Sequence, residues 1–180
     1  PIASELIAAD QQANIRFEAF FSNIMFHEVA HGLGVNQTIN GRGTVRLALK
    51  ESYSALEEAK ADILGLHLVS TLIDKGELRD ISIADSYVTF VAGILRSVRF
   101  GVAESHGKAN MIEFNYFANR GAFVRDAATG RYRIDLTKAR AATAALAERI
   151  LKVQGDGDQE AARAMVATEG VVAPELQRDL

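Results

Sequence analysis

Apolar residues recur at helical spacing through most of the chain, and the interruptions are short. Over about residues 12–33, Ile15, Phe17, Phe20, Phe21, Ile24, Met25 and Val29 form a broad apolar surface, which predicts a largely buried helix. Gly32 and Gly34 are natural terminators for it. Residues 36–43 then read as a loop, with turn signals at Asn40-Gly41 and Gly43. A second long helix, rich in Ala, Leu, Glu and Lys, is expected over about residues 47–75 and ends at Gly76. A third covers about residues 82–100, with Tyr87, Phe90, Val91, Ile94, Leu95 and Val98 as its core stripe, and Gly101 after it. A fourth covers about residues 105–120, with Ser105 as N-cap and Gly121 after the end.

The period changes over residues 122–134, where two short alternating runs flank a turn at 127–130 and predict a β-hairpin. A fifth helix follows over about residues 136–153. Gly155-Asp156-Gly157-Asp158 reads as an interhelical turn with Asp158 near the start of a sixth helix, about 159–168, and the tail from Gly170 reads as extended. The turn is not a calcium loop, because position 12 counted from Asp156 is Ala167 rather than Glu. The expected fold is mainly α: one multi-helix domain over residues 1–180 with a single short β-hairpin.

Within the first helix lies Phe26-His27-Glu28-Val29-Ala30-His31-Gly32, an H-E-x-x-H motif. Positions i and i+4 of an α-helix differ by about 40° in direction, so two imidazoles so placed can close on one metal ion. The glutamate between them then lies beside a water activated at that metal. With only 4 His in the chain, chance supplies about 0.006 such motifs. A helix that merely carries two histidines is the competing reading, and the rest of the chain decides by offering a third ligand or not.

No third histidine follows at the metzincin spacing; positions 37 and 38 are Gln and Thr. A carboxylate is therefore needed, and the second helix offers Glu51, Glu57 and Glu58. Glu51 stands 20 positions after His31, a spacing that resembles thermolysin-like peptidases, and Glu58 stands 27 after it. Neighbours favour Glu58. Asp62 lies one turn on from it, in place to accept the second N–H of a ligand histidine, whereas Glu51 has Ala55 there. Glu51 shares the face at the site's edge. The surrounding Ala55, Leu56, Ala59, Ala61, Ile63 and Leu64 are apolar, which argues against an ordinary solvated acidic face. His67, nine residues past Glu58, falls on the opposite face and is excluded as a ligand.

Charge and composition narrow the remainder. Net charge is −3 with a pI of about 5.8, and no basic–aromatic interleaving occurs, so no nucleic-acid partner is expected. No apolar run approaches the ~20 residues of a membrane span, so no membrane partner is expected. Hydrophobic residues make up 48%, which fits a packed core in 180 residues. Cysteine is absent, which removes disulfides, thiolate ligands and a cysteine nucleophile, and suits a reducing, cytoplasmic location. Arg96 and Arg99 read as solvated, with a peptide carboxylate as the alternative ligand.

Glu57-Glu58-Ala59-Lys60-Ala61-Asp62 resembles the E-E-C-R-A-E/D motif of the dipeptidyl peptidase III family of zinc metallopeptidases, and His27 to His31 resembles that family's H-E-x-x-G-H motif. The resemblance extends through Lys50-Glu51-Ser52-Tyr53-Ser54-Ala55, Ser105-His106-Gly107-Lys108-Ala109-Asn110, Gly121-Ala122-Phe123 and Leu151-Lys152-Val153-Gln154-Gly155-Asp156-Gly157-Asp158, which looks like bacterial members. Three departures stand out. The histidine motif is one residue shorter, the loop between the motifs is shorter, and Ala59 and Lys60 replace Cys and Arg.

The resemblance implies one Zn2+ ion held by His27, His31 and Glu58, with Glu28 acting on the water. It implies that Glu57 and Asp62 support the ligands and that His106 contacts substrate and stabilises the reacting centre. It implies a metallopeptidase that releases dipeptides from the N-terminus of short peptides. The family is two-lobed, so the chain is expected to be a C-terminal, zinc-bearing helical lobe whose partners are the peptide and the missing second lobe. Two other readings stand beside it: a zinc hydrolase of another substrate class, and a non-catalytic zinc-binding or interaction domain. Glu28 argues against the last, because a structural site needs no base there.

Overall fold

The computed structural model describes residues 2–180. In chain order its helices are α1 (Ile2–Leu6), a 3-10 turn (Ala9–Asn14), α2 (Phe17–His31), α3 (Val45–Leu49), a 3-10 turn (Lys50–Ser52), α4 (Tyr53–Asp74), α5 (Ile83–Val98) and α6 (Ser105–Asn119). Strands β1 (Phe123–Arg125) and β2 (Tyr132–Ile134) follow, then α7 (Leu136–Asp156), α8 (Gln159–Glu169) and α9 (Pro174–Asp179). The strands form the expected antiparallel hairpin, with Phe123 opposite Ile134 and Arg125 opposite Tyr132. The fold is mainly helical with one short hairpin, as the pattern of the sequence predicts.

Helix α4 is the axle. Ala55, Leu56, Ala59, Ala61, Ile63, Leu66 and Val69 are buried along it, and α2, α5, α6 and α7 pack around it. Its small residues admit close neighbours. Gly65 is the extreme case: a Cβ there would stand 2.8 Å from the backbone nitrogen of His27 and 2.9 Å from the carbonyl carbon of Phe26. The missing side chain thus lets α2 lie directly on α4 at the first motif histidine. The main core joins Leu56, Ile63 and Leu66 of α4 to Tyr87, Ile94 and Leu95 of α5, Met111, Ile112 and Phe117 of α6, and Leu146 and Ile150 of α7. Each such side chain contributes about 1.5–3 kcal/mol by leaving water.

The structure differs from the pattern in five places. The first predicted helix is broken at Ile15 and Arg16, because Arg16 N–H donates to Thr89 Oγ1 (3.1 Å) and the Thr89 hydroxyl donates to the Asn14 carbonyl (3.1 Å). These long-range bonds hold the backbone extended before α2 starts. More consequentially, α2 is not largely buried. It meets α4 with Ala19, His27 and Ala30, while Phe17 (73%), Phe21 (57%), Ile24 (48%) and Val29 (50%) are exposed. An all-round apolar helix signals burial without saying which face is covered within this chain.

The second predicted helix is also two pieces, because Lys50 takes a left-handed φ of 49° between α3 and α4. That break places Glu51, itself exposed, in a 3-10 turn outside α4, so seven-residue spacing does not put it on the Glu58 face. Helix α7 runs through Gly155 to Asp156, where the Gly155 carbonyl accepts from Ile39 N–H (2.8 Å). Gly157, left-handed at φ 58°, ends it. The tail is not extended throughout, since Pro174 opens α9 at a position where its missing N–H costs nothing.

Candidate metal centre

Three elements converge at the site. The last two turns of α2 carry His27, Glu28 and His31; the second turn of α4 carries Glu57, Glu58 and, one turn on, Asp62; the first turn of α6 carries His106. One ligand atom each from His27, His31 and Glu58 lie within 4.8 Å of one another. The two Nε2 atoms are 3.1 Å apart, and Glu58 Oε2 is 3.5 Å from His27 Nε2 and 3.7 Å from His31 Nε2.

Both imidazoles are turned toward that point from behind. His27 Nδ1 is 2.8 Å from Asp62 Oδ1, and His31 Nδ1 is 3.1 Å from Glu57 Oε1. A carboxylate on Nδ1 fixes the tautomer that leaves the Nε2 lone pair facing a metal. The Asp62 hydrogen bond holds His27 above the ordinary histidine pKa. Burial opposes this, and the charges of Asp62, Glu58 and Glu28 assist it. Glu58 Oε2 is itself buried without a hydrogen-bond partner of acceptable geometry. A buried carboxylate oxygen that makes no well-formed hydrogen bond and faces two oriented imidazoles fits a two-nitrogen, one-oxygen zinc site with a coordination position to spare.

Glu28 and His106 flank this cluster. Glu28 is exposed and lines a cavity of about 450 Å³ together with His27, Asp62 and His106. The cavity floor is apolar, from Phe20, Ile24, Leu66, Phe90 and Ile94, and Arg96 stands on its lining. His106 Nε2 is 3.1 Å from Glu58 Oε2, its side chain remains 68% exposed, and its ring lies 6.4 Å from that of His27. His67 is exposed on the far side of α4.

Two supporting residues escape sequence reasoning. Lys60 is buried, with Nζ 2.8 Å from Glu57 Oε1 and donating to the carbonyls of Leu33 (2.7 Å) and His31 (3.3 Å). It ties the end of α2 to the carboxylate that orients His31. Its position between Ala59 and Ala61, on an otherwise apolar stripe, is the one signal that marks it. Gln154 of α7 donates to Glu57 Oε2 (3.2 Å) from 97 residues away, and no local pattern announces it.

A helical domain built around an H-E-x-x-H helix and a second helix bearing Glu-Glu-x-x-x-Asp brings together a His-His-Glu group that could hold a metal ion. Solved structures show what the chain is similar to. Dipeptidyl peptidase III from Caldithrix abyssi matches with a TM-score of 0.94 and 38% identity over 100% of this chain and 35% of that one. The enzyme of the same name from Corallococcus sp. strain EGB matches with a TM-score of 0.94 and 40% identity over 99% of this chain and 34% of that one. In sequence and fold the chain thus corresponds to a segment of dipeptidyl peptidase III, about a third of its length. A curated relative, Nudix hydrolase 3 of Arabidopsis thaliana, is 42% identical over 165 residues, covering 90% of this chain but 21% of that protein. The match spans about a fifth of that protein, and its name differs from that of the solved structures. No family model matches.

Proposed function

We propose that this chain supplies the zinc site of a dipeptidyl peptidase, which releases dipeptides from the N-terminus of short peptides. The observation that carries the reading is Glu58 Oε2, buried and without a well-formed hydrogen bond, facing the Nε2 atoms of His27, His31 and His106 at 3.5, 3.7 and 3.1 Å, with the far nitrogens of the first two held by Asp62 and Glu57. His27, His31 and Glu58 are the residues that would hold the ion. Zinc at such a site supplies a Lewis acid that polarises a scissile carbonyl and lowers the pKa of water.

The chain's own groups do the rest. Glu28, exposed beside His27, takes a proton from the attacking water and delivers it to the leaving amine. His106 donates a hydrogen bond to the oxyanion as it develops. The apolar cavity floor beside Glu28 receives a substrate side chain, and Arg96 on the same lining offers a partner for a peptide carboxylate. The exposed apolar stripe of α2 packs against the remainder of the two-lobed polypeptide, which in the matched structures is about two-thirds of the chain. A cytoplasmic location belongs to the same reading and is supported by the absence of cysteine. Among the described residues, no helix is long and apolar enough to cross a membrane.

The test is Glu28→Gln in the full-length protein. Zinc content stays at that of the wild type, and release of a fluorogenic dipeptide falls by a factor of at least 10². Wild-type turnover by a metal-loaded Glu28→Gln enzyme would remove Glu28 from its role.

A further inference from the structure

One ionisable group next to the site has no part in the scheme above. Glu113 lies on α6, seven residues after His106 and three after Asn110, so all three share the helix face turned to α4. It is completely buried, and neither carboxyl oxygen finds a hydrogen-bond donor. The charges that act on it are carboxylates: Asp62, on the α4 face that α6 packs against, and Glu58. As an anion it would have nothing to accept from and two like charges to face, away from the surface. Burial first, then Asp62 and Glu58, push its pKa well above the carboxylate range. As a neutral acid it has one use for its proton, because Asp62 is an acceptor with a second oxygen free of the His27 bond.

We propose that Glu113 is a positioning residue, whose carboxylic acid donates a hydrogen bond to Asp62 and so fixes the carboxylate that orients His27 toward the metal. The relay runs from α6 through α4 to α2, joining the three helices that carry the site. Nothing here exchanges protons during turnover; the acid is held in one state and acts by geometry. A buried acid is otherwise a poor core residue, since an apolar side chain of similar size would pack there without desolvating a polar group.

The inference rests on His27, His31 and Glu58 holding zinc, and the experiment separates the two. In the full-length protein, zinc dissociation constants are measured by chelator competition for wild type, Glu113→Gln, Glu113→Leu, Asp62→Asn and the double variant Asp62→Asn/Glu113→Leu. Thermal midpoints and kcat and KM are measured alongside. Glu113→Gln retains a donor and keeps zinc affinity within about threefold of wild type. Glu113→Leu loosens zinc by about 10- to 100-fold, the range for residues behind a ligand. It lowers kcat with KM little changed, and its thermal midpoint is equal or higher. In the Asp62→Asn background the Leu substitution adds less than about twofold.

Equal losses in Gln and Leu, or equal losses with and without Asp62, would make Glu113 a packing residue and overturn the proposal. Zinc held tightly by wild type and equally by Glu113→Leu overturns this proposal alone. A wild type that binds no zinc overturns both it and the metal site. If Glu113→Leu does not fold, Glu113→Met takes its place with the same expectations.

Discussion

Lys60 Nζ lies 2.8 Å from Glu57 Oε1, and the same ammonium donates to the Leu33 carbonyl at 2.7 Å. One buried cation therefore closes the C-terminal end of α2 and anchors the carboxylate behind His31. Lys60→Met keeps the length of the side chain and removes the charge. It leaves the carbonyls of His31 and Leu33 and part of Glu57 without a partner, a loss of about 3 kcal/mol for a pair largely removed from water. Denaturant unfolding should show that loss, and zinc affinity should fall with it. An unchanged midpoint would mean that Lys60 is a bystander.

Gly65 permits the approach of α2 to α4 at His27. Gly65→Ala places a methyl 2.8 Å from a backbone atom that cannot move without taking His27 with it. Overpacking of this kind costs about 1–3 kcal/mol. The expected result is a thermal midpoint lower by several degrees together with weaker zinc binding. Retained zinc affinity in a destabilised Gly65→Ala protein would show that the crossing can relax without disturbing the ligands.

Asp179 of α9 receives Arg125 Nε (2.8 Å) and Nη2 (2.7 Å) and the Tyr132 hydroxyl (2.9 Å), which fastens the end of the chain to the hairpin. The Arg125 hydrogen bonds, followed by that of Tyr132, hold its carboxyl below the ordinary value of 3.8 against the cost of burial. A group whose folded pKa is depressed stabilises the fold above its unfolded pKa of about 3.9 and loses that stabilisation as pH falls through the lower folded value. Asp179→Asn should therefore be less stable than wild type at pH 7, and the two urea midpoints should converge as pH falls below about 3.9 and through the depressed folded value. A constant difference across that window would contradict the assignment.

The α2 stripe makes a separate prediction. If the rest of the polypeptide covers Phe17 and Phe21, then Phe21→Ser in the full-length protein should cost about 1.5–3 kcal/mol, as for a buried aromatic. A surface substitution leaves stability within about 0.5 kcal/mol, and that outcome would leave the stripe uncovered.

Much of this arrangement was legible in the sequence, for local reasons. The four-residue spacing of His27 and His31 and the four-residue spacing of Glu58 and Asp62 are fixed by the helix itself, so the structure places each pair on one face and sets the pairs against each other. The α5 stripe and the alternation of 122–134 likewise carry their own geometry. What escaped depends on distant parts of the chain. Thr89 breaks the helix before α2 from 73 residues away, and Gln154 reaches Glu57 across 97. The exposure of Phe17 and Phe21 escaped for another reason: periodicity reports that a face is apolar, and the identity of what covers it belongs to another part of the structure.

The most direct test of the metal site is diffraction from crystals of the zinc-treated protein, collected on both sides of the zinc absorption edge. A single anomalous peak is predicted, about 2.0–2.1 Å from Nε2 of His27 and of His31 and about 2.0–2.2 Å from a carboxylate oxygen of Glu58. No peak among these three side chains, or a peak coordinated by other residues, would contradict the account.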